Sequence, residues 1–453
     1  MPFRRIVLLL VPWLILGWLS FSGRLSPTYE PDSASYTNFD WSSLDISLTR
    51  IRTCGYPLFL RWCALFGEGE RAVPFMQWAA AMLAAWCLYW GLCQVGYRFD
   101  VAAVCATTAM LSRGLLDYSQ LVLSESLAVS LLIACSGCFL ATLATGRRIG
   151  AWTSLMLLTV AAWQTRPACL FLVVLWPVLG LLLDKLVLRR DETWRQRWRR
   201  MLGYVAITWT PLLAFCTLRL VVVGHFGVVS FTGYHTIGIA GQFLDAPLLA
   251  DLSPEVKPIA QEILNRRKLI EFAPPNDFLS MESMFDPTVY RLAIPAANAS
   301  HPHDPVALDN SLMRLSLEVF RERPGPYLRW LRWNARHAVQ RIILLTAFDR
   351  GTLLLVGGVL LLHARRCLRG SPGTTAEIPN LSPQEATKVS RQLFIEQHLL
   401  LWIALGLAVF KVMLVLGVQP ANDRYMTGAM PLLPSALAIF IAQQFVPHKS
   451  EDS

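Results

Sequence analysis

The chain has 453 residues, of which 54% are hydrophobic and only 16% are charged, and its mean hydropathy is +0.43. Soluble domains carry about 25% charged residues, so this composition excludes an ordinary soluble protein and predicts a membrane protein. The net charge is +10, but Lys and Arg cluster beside apolar runs, as in residues 189–200. That placement favours contact with anionic membrane lipids and a fixed membrane orientation over nucleic-acid binding.

Apolar runs of membrane-crossing length recur along the chain. A crossing helix needs about 20 apolar residues, and the runs that meet or approach this length lie at 6–22, 73–96, 100–113, 121–145, 150–164, 167–186, 201–223, 341–364, 397–419 and 427–446. They predict an all-α polytopic membrane protein of about ten transmembrane helices. The short pair 150–164 and 167–186 can instead form a re-entrant hairpin, which leaves eight to eleven spans. The first run is followed by a poor signal-peptide cleavage site, so we expect an uncleaved anchor.

The distribution of basic residues predicts the orientation. Basic loops occur at 98, 147–148, 185–200 and 365–369, whereas the other side's short loops carry only Arg113, Arg166 and Arg424. Short loops rich in Lys and Arg stay in the cytoplasm. We therefore expect a multi-pass protein of the bacterial cytoplasmic (inner) membrane, with both termini cytoplasmic and the site extracytoplasmic.

Three regions follow from this arrangement. Residues 1–223 form an N-terminal transmembrane module, whose first outward loop, 23–71, carries the candidate catalytic residues. Residues 224–340 are long enough for a small, mainly helical extracytoplasmic domain, with helices predicted at 254–269 and 304–323 and an interfacial helix at 324–338. Residues 341–453 contain the C-terminal transmembrane helices and a cytoplasmic linker, 367–392, rich in Pro, Ser, Thr and Gly.

Two carboxylates begin the first outward loop. Glu30 and Asp32 lie two residues apart in a turn-forming stretch that also contains Tyr36. A partly desolvated carboxylate beside a hydroxyl acceptor is suited to general-base catalysis. The alternative is helix capping, with Asp32 or Ser33 starting a short helix.

The same loop contains Arg52 followed by Gly55 and Tyr56. The guanidinium is placed for an anionic headgroup, and the glycine allows a tight backbone turn. The following residues, 58–66, are apolar enough to lie along the membrane surface. The alternative for Arg52 is simple contact with lipid phosphate.

Glu125 lies at the entrance of the apolar run 121–145. A carboxylate there is costly unless it is paired or functional, and Arg113 and Arg166 are candidate partners. The alternative is support of the helix N-terminus through the helix dipole.

Two further loops of the outward side each supply one arginine. Arg166 interrupts an apolar stretch, and Arg424, followed by Tyr425, lies between the last two spans. A guanidinium can bind phosphate through two parallel hydrogen bonds, although either residue can be an ordinary interfacial anchor. His301 and His303, separated by proline, are more typical of a surface loop than of a metal site. The sequence indicates no metal or other cofactor, without excluding a divalent metal.

Taken together, the segments 31–36, 52–57, 123–127, 165–167 and 423–425 resemble those of the polytopic glycosyltransferases of the C superfamily. The resemblance is to the bacterial branch near the lipid A aminoarabinose transferases and the protein O-mannosyltransferases. It implies transfer of a sugar, with inversion, from a polyprenyl-phosphate donor at the outer leaflet to an extracytoplasmic lipid, glycan or protein.

The resemblance also implies roles for individual residues. Asp32 would be the general base, supported by Glu30. The donor phosphate would be bound by Arg52, Arg166 and Arg424. The substrate would be bound or oriented by Tyr36, Tyr56, Glu125 and Tyr425. The expected partners are thus the lipid-linked donor, the acceptor and membrane lipids, with no nucleic acid.

Two other functions fit the same residues. A transporter or flippase of polyprenyl-linked sugars would use the same arginines for phosphate. A non-catalytic subunit of an envelope polysaccharide assembly complex would have a decayed site, with Asp32 and the outward arginines dispersed.

Overall fold

A computed structural model of the chain describes residues 13–145, 149–186, 193–270, 272, 276–302, 304–368, 383–437 and 439. Over these residues the chain is helical and contains no strand. The helices of the first half are α1 (13–21), α2 (Ala34–Thr37), α3 (Leu44–Thr49), α4 (Gly55–Cys63), α5 (Val73–Val95), α6 (Phe99–Met110), α7 (Arg113–Leu116), α8 (Ser124–Thr145), α9 (Ile149–Thr165), α10 (Leu172–Leu186) and α11 (Trp194–Val223). Those of the second half are α12 (Thr232–Ala240), α13 (Lys257–Arg267), α14 (Phe278–Asp286), α15 (Ile294–Asn298), α16 (Pro305–Glu322), α17 (Pro324–Ala347), α18 (Arg350–Leu368), α19 (Pro383–Leu416), α20 (Asp423–Met426) and α21 (433–437).

Four helices in the described part of the chain are long and apolar enough to cross a membrane. They comprise Val73–Val95, Ser124–Ala144, Trp194–Val223 and His398–Leu416. Phe99–Met110 and Pro167–Leu183 are apolar but shorter. The prediction of an all-α membrane protein is confirmed at this level, whereas the count of about ten spans is not. The predicted spans 6–22 and 427–446 lie partly outside the described residues.

The backbones of helices α5 and α8 are in close contact at two glycines. A Cβ atom added to Gly91 on α5 would lie within 2.8 Å of the Cα atom of Gly137 on α8. A Cβ added to Gly137 would in turn lie 2.6 Å from the amide nitrogen of Leu88. Real Cβ atoms do not approach other atoms this closely, so only glycine permits this crossing. Small residues allow the same close approach between membrane helices in general.

Helix α8 is the most deeply buried of the four membrane helices. It packs against α5 on one side and α9 on the other, while α10 packs against α11 and α19. The apolar residues of these helices form one continuous core. The first residues of α8, with Glu125, thereby lie near the end of α9 and the end of α19, which is where the site forms.

Residues 231–333 form a second apolar core, built from α12 to α17. The helix predicted at 254–269 is observed as α13, and the one predicted at 304–323 as α16. The Asp304 carboxylate caps α16 by accepting hydrogen bonds from the amides of Val306, at 3.0 Å, and Ala307, at 2.9 Å. The interfacial helix predicted at 324–338 continues to Ala347 as α17. We call residues 224–340 the small domain.

Arg219, near the end of α11, connects the membrane helices, the first loop and the small domain. Its fully buried guanidinium donates to the carbonyl of Leu48, at 3.0 Å, and to that of Gly227, at 2.7 Å. It also donates to the Ser230 hydroxyl at 3.0 Å. Three segments are therefore held together beside the residues that form the site.

The structure departs from the predicted helix pattern in two places. The run 341–364 is not one helix, because α17 ends at Ala347 and α18 begins at Arg350. Asp349 causes the break, since its carboxylate accepts from the amides of Gly351, at 2.9 Å, and Arg113, at 2.8 Å. The predicted linker 367–392 is shorter than expected. Residues 369–382 lie outside the described residues, and α19 already begins at Pro383, a residue tolerated in the first helical turn.

Candidate functional site

The first loop, residues 23–71, presents Asp32 on a tight turn. Pro31–Ser33 form one turn of 3₁₀ helix, and the amide of Glu30 donates to the Ser33 hydroxyl at 2.9 Å. Proline suits such a first turn because its φ is preset and its missing N–H would have no helical partner. The capping alternative is thus partly realised, through Ser33. Asp32 nevertheless points its carboxylate away from this turn, toward two arginines.

Arg52 is the first of these arginines. Its Nη2 lies 3.2 Å from Asp32 Oδ1, and its Nε donates to the Ser35 hydroxyl at 3.0 Å. The guanidinium also lies over the ring of Tyr36, 4.8 Å from its centroid, in a cation–π contact. These three contacts hold the Arg52 guanidinium in place. It is the group that the sequence predicts to bind phosphate.

Arg424 is the second. Asn422 caps the short helix α20 by accepting from the Tyr425 amide at 3.0 Å, which orients the segment. Arg424 Nη2 then lies 2.8 Å from Asp32 Oδ2, while its Nε contacts Glu125 Oε1. Burial opposes the charged guanidinium, but the charges of Glu125 and Asp32 outweigh it and raise the pKa of Arg424. One arginine thus joins the first loop to helix α8.

Glu125 is shared by two arginines. Its side chain is only 4% exposed, and Oε1 accepts from Arg166 Nη1 at 2.7 Å as well as from Arg424. Of the two partners predicted for Glu125, Arg166 is therefore observed. Arg113 instead pairs with Asp117 at 3.0 Å. The second oxygen, Oε2, has no hydrogen-bond partner among the described residues. A buried carboxylate oxygen without a hydrogen-bond donor costs free energy, so a purely structural role does not account for it.

These side chains line one cavity of about 250 Å³. Four parts of the chain contribute to it: the first loop, the junction of α9 and α10, the small domain, and the segment from the end of α19 to α20. Of the nine residues predicted for the site, six line the cavity: Asp32, Tyr36, Arg52, Arg166, Arg424 and Tyr425. Glu125 lies directly behind them and lines a smaller space of about 20 Å³ with Arg166 and Arg424. That volume suffices for one water molecule.

Glu30 and Tyr56 do not line the cavity. The Glu30 side chain is exposed, and it precedes the 3₁₀ turn as its N-cap residue. Tyr56 is fully buried beneath Tyr36, with the two rings edge to face at 5.0 Å. Tyr36 in turn shares a hydrogen bond of 3.0 Å with Ser124 at the start of α8. Tyr56 therefore supports the cavity wall rather than reaching a ligand.

The backbone next to Tyr56 explains why glycine precedes it. A Cβ added to Gly55 would lie 2.7 Å from the amide nitrogen of Thr165, next to Arg166. Glycine lets α4 approach the end of α9, which brings Arg52 and Arg166 to the same cavity. The Cys54 thiol adds a hydrogen bond to the side-chain amide oxygen of Gln164, Oε1, at 3.3 Å.

A second cavity, of about 380 Å³, adjoins the first and has a mostly apolar lining. It lies between α3 and α11, with Trp41, Leu44 and Phe215 among its walls. Arg52 lines both cavities.

Sequence reasoning missed three residues of this site. Lys411 on α19 is buried beside Arg166 and Arg424, and its ammonium donates to the carbonyl of Ala168 at 3.3 Å. The sequence feature that could have revealed Lys411 is its place inside an apolar run. An ionisable side chain in a membrane segment is costly, and such residues are usually functional. His235 and Tyr290 line the main cavity from the small domain. Nothing in the local sequence distinguishes them, because only the tertiary fold brings them opposite Asp32.

The described residues contain no group of three or more His, Cys, Asp or Glu side chains arranged for a metal ion. His301 shares a hydrogen bond of 2.8 Å with Ser311 instead. His303, the other half of the pair considered for metal, lies outside the described residues.

Chemically, the site combines a carboxylate with three guanidiniums beside apolar helices. Such a group of preplaced cations can bind an anionic headgroup and stabilise negative charge that develops there. Comparisons of the chain with protein-family models, with curated proteins and with solved structures each return no match.

Proposed function

We propose that the protein is a membrane glycosyltransferase that moves a sugar from a polyprenyl-phosphate donor to an acceptor hydroxyl on the outer side of the bacterial cytoplasmic membrane. The observation that carries the proposal is the convergence of Arg52, Arg166 and Arg424 with Asp32 on one cavity. A decayed site in a non-catalytic subunit would leave these residues dispersed.

The charge of the cavity suits a departing phosphate. Three guanidiniums and Asp32 leave two positive charges on the described lining, and the formal charges of Glu125 and Lys411 directly behind it cancel. A sugar–phosphate–lipid diester carries one negative charge, and the phosphate that leaves carries up to two. The positive charge therefore matches the product side of the reaction better than the donor, which is the condition for lowering a barrier.

The position of the site suits a lipid-linked donor. Arg166 directly follows α9, and Glu125 is the second residue of α8, so both lie at the ends of apolar helices. The cavity also has apolar walls from Leu170, Leu414 and Val418. The phosphate would lie at the membrane boundary with its lipid tail against these walls.

Asp32 would accept the proton of the acceptor hydroxyl. The acceptor oxygen forms a bond to the anomeric carbon, the bond from that carbon to the phosphate oxygen breaks, and the proton goes to the carboxylate. Both Asp32 oxygens pair with guanidiniums, those of Arg52 and Arg424. Donor phosphate would compete for these guanidiniums and thereby free a carboxylate oxygen for the acceptor.

The proposal is tested with purified protein in lipid nanodiscs. Labelled polyprenyl-phosphate sugars and an extract of envelope acceptors are supplied, and transfer is measured for wild type, Asp32→Asn and Asp40→Asn. Asp40 is the matched control, because it also pairs with an arginine of the first loop, Arg50, at 3.0 Å, but does not line the cavity.

We expect Asp32→Asn to slow transfer about 10²–10⁴-fold, the usual contribution of a general base, and Asp40→Asn to leave it near wild type. Equal loss in both variants, or none in Asp32→Asn, would contradict the role of Asp32. Movement of the donor across vesicle membranes without any transfer would instead support a flippase.

A further inference from the structure

The wall of the cavity that faces the arginines comes from the small domain. Besides Val229, it consists of Phe231, Thr232, His235 and Tyr290. None of these side chains carries a fixed charge, and three of them are aromatic. A donor phosphate held by the arginines would place its attached sugar against this wall.

His235 is the one titratable nitrogen base of the wall. Its ring packs edge to face on Phe231, with centroids 4.5 Å apart, and stacks on Phe285 at 6.4 Å. Burial, together with the charges of Arg52 and Arg166, lowers the pKa of His235 to about 4. The imidazole is therefore neutral at ordinary pH and offers one donor and one acceptor nitrogen.

No free carboxylate lines this cavity in the described part of the chain. Asp32 has both oxygens paired with guanidiniums, and the oxygen that donor phosphate would free is the one that takes the proton of the acceptor hydroxyl. Glu125 is enclosed behind Arg166 and Arg424. Asp286 precedes Tyr290 by one turn but does not line the cavity. Desolvation and the nearby charge of Asp32 raise the pKa of the Asp286 carboxyl.

We propose that the wall of Phe231, Thr232, His235 and Tyr290 binds the sugar ring of the donor, and that it selects a sugar without a free ammonium group. The inference rests on the proposed function and specifies its substrate class. Aromatic faces and neutral hydrogen-bonding groups suit an uncharged ring. An ammonium would lie near the guanidiniums of Arg52 and Arg166, and the described lining offers it no carboxylate beyond Asp32.

The experiment compares three donors on the same polyprenyl phosphate: glucose, N-acetylglucosamine and glucosamine. The last two share a ring and differ in whether the amine is acetylated and neutral or free and charged. Binding is measured by displacement of labelled polyprenyl phosphate from the full-length protein in nanodiscs at pH 6.5, and transfer is measured in parallel. The variants are His235→Gln, which keeps a neutral hydrogen-bonding group, His235→Glu and Asp286→Asn.

We expect at least one neutral donor to bind at least tenfold more tightly than the glucosamine donor. His235→Gln should keep this order, whereas His235→Glu should reduce or reverse it by supplying a carboxylate. Retained binding of polyprenyl phosphate shows that each variant is folded.

Two outcomes would overturn the inference in different ways. If the glucosamine donor binds as tightly as the neutral donors, and Asp286→Asn weakens it selectively, the selection is wrong but sugar transfer stands. If no donor binds more tightly than polyprenyl phosphate alone and none is transferred, the proposed function itself fails and the inference fails with it.

Discussion

Replacement of Glu125 by glutamine tests the central ion pairs of the site. Glu125 is nearly inaccessible and pairs with Arg166 at 2.7 Å and also with Arg424. At an effective dielectric constant of about 20, two charges 4 Å apart attract by about 4 kcal/mol, so the two pairs supply about 8 kcal/mol before desolvation is subtracted. Breaking a buried pair typically costs about 3–5 kcal/mol, because the remaining charge stays buried without compensation.

We therefore expect Glu125→Gln to lower the free energy of unfolding by about 3–5 kcal/mol, measured by denaturant titration in mixed micelles. Glu68→Gln is the matched control, since Glu68 is 91% exposed and pairs with Arg71 at 3.6 Å; exposed pairs contribute about 0–1 kcal/mol. Added polyprenyl phosphate should restore part of the lost stability, because the anion compensates the two released guanidiniums. A Glu125→Gln protein within about 0.5 kcal/mol of wild type would refute this account of the charges.

Three further predictions follow from the geometry. Arg424→Lys should slow transfer about 10²–10³-fold, because an ammonium cannot reach Asp32 and Glu125 with the fixed fork of a guanidinium, and single-turnover kinetics would measure it. Gly55→Ala should lower the unfolding free energy by about 1–3 kcal/mol through overpacking against Thr165, whereas Gly150→Ala, with open space around it, should not. Burial raises the pKa of Asp309 to about 6, so the folded state favours the protonated acid. Asp309 therefore stabilises the folded state fully below about pH 4, and this contribution is lost as the pH rises through 6. Asp309→Asn should flatten the dependence of the unfolding free energy on pH over this range.

The sequence predicted the charged part of the site well, because charged groups beside apolar runs are conspicuous. Arg52, Arg166 and Arg424 stand out for this reason, and all three reach the cavity. The prediction for Glu30 depended on its being near Asp32 in sequence, but the Glu30 side chain is exposed and does not line the cavity. Tyr56 follows Arg52 closely in the sequence, but its ring packs under Tyr36 and does not line the cavity.

The uncharged wall of the cavity could not be predicted. His235 and Tyr290 belong to α12 and to the π-helical turn Pro287–Ala293, and these meet the first loop only through packing of the small domain. Helix periodicity predicted α13, α16 and α17 of that domain but not α12, which carries His235. The break at Asp349 was missed for a related reason, since its cap depends on an amide 236 residues away.

The glycine contact between α5 and α8 bears on how a long lipid could enter and leave. Because Gly91 and Gly137 are in backbone contact, there is no space for a lipid chain between α5 and α8 at this point. The apolar side chains of Leu170 and Leu414 on the cavity wall offer such a chain a surface instead. We expect a bulky side chain at position 414 to hinder passage of a polyprenyl tail while leaving the charged groups in place.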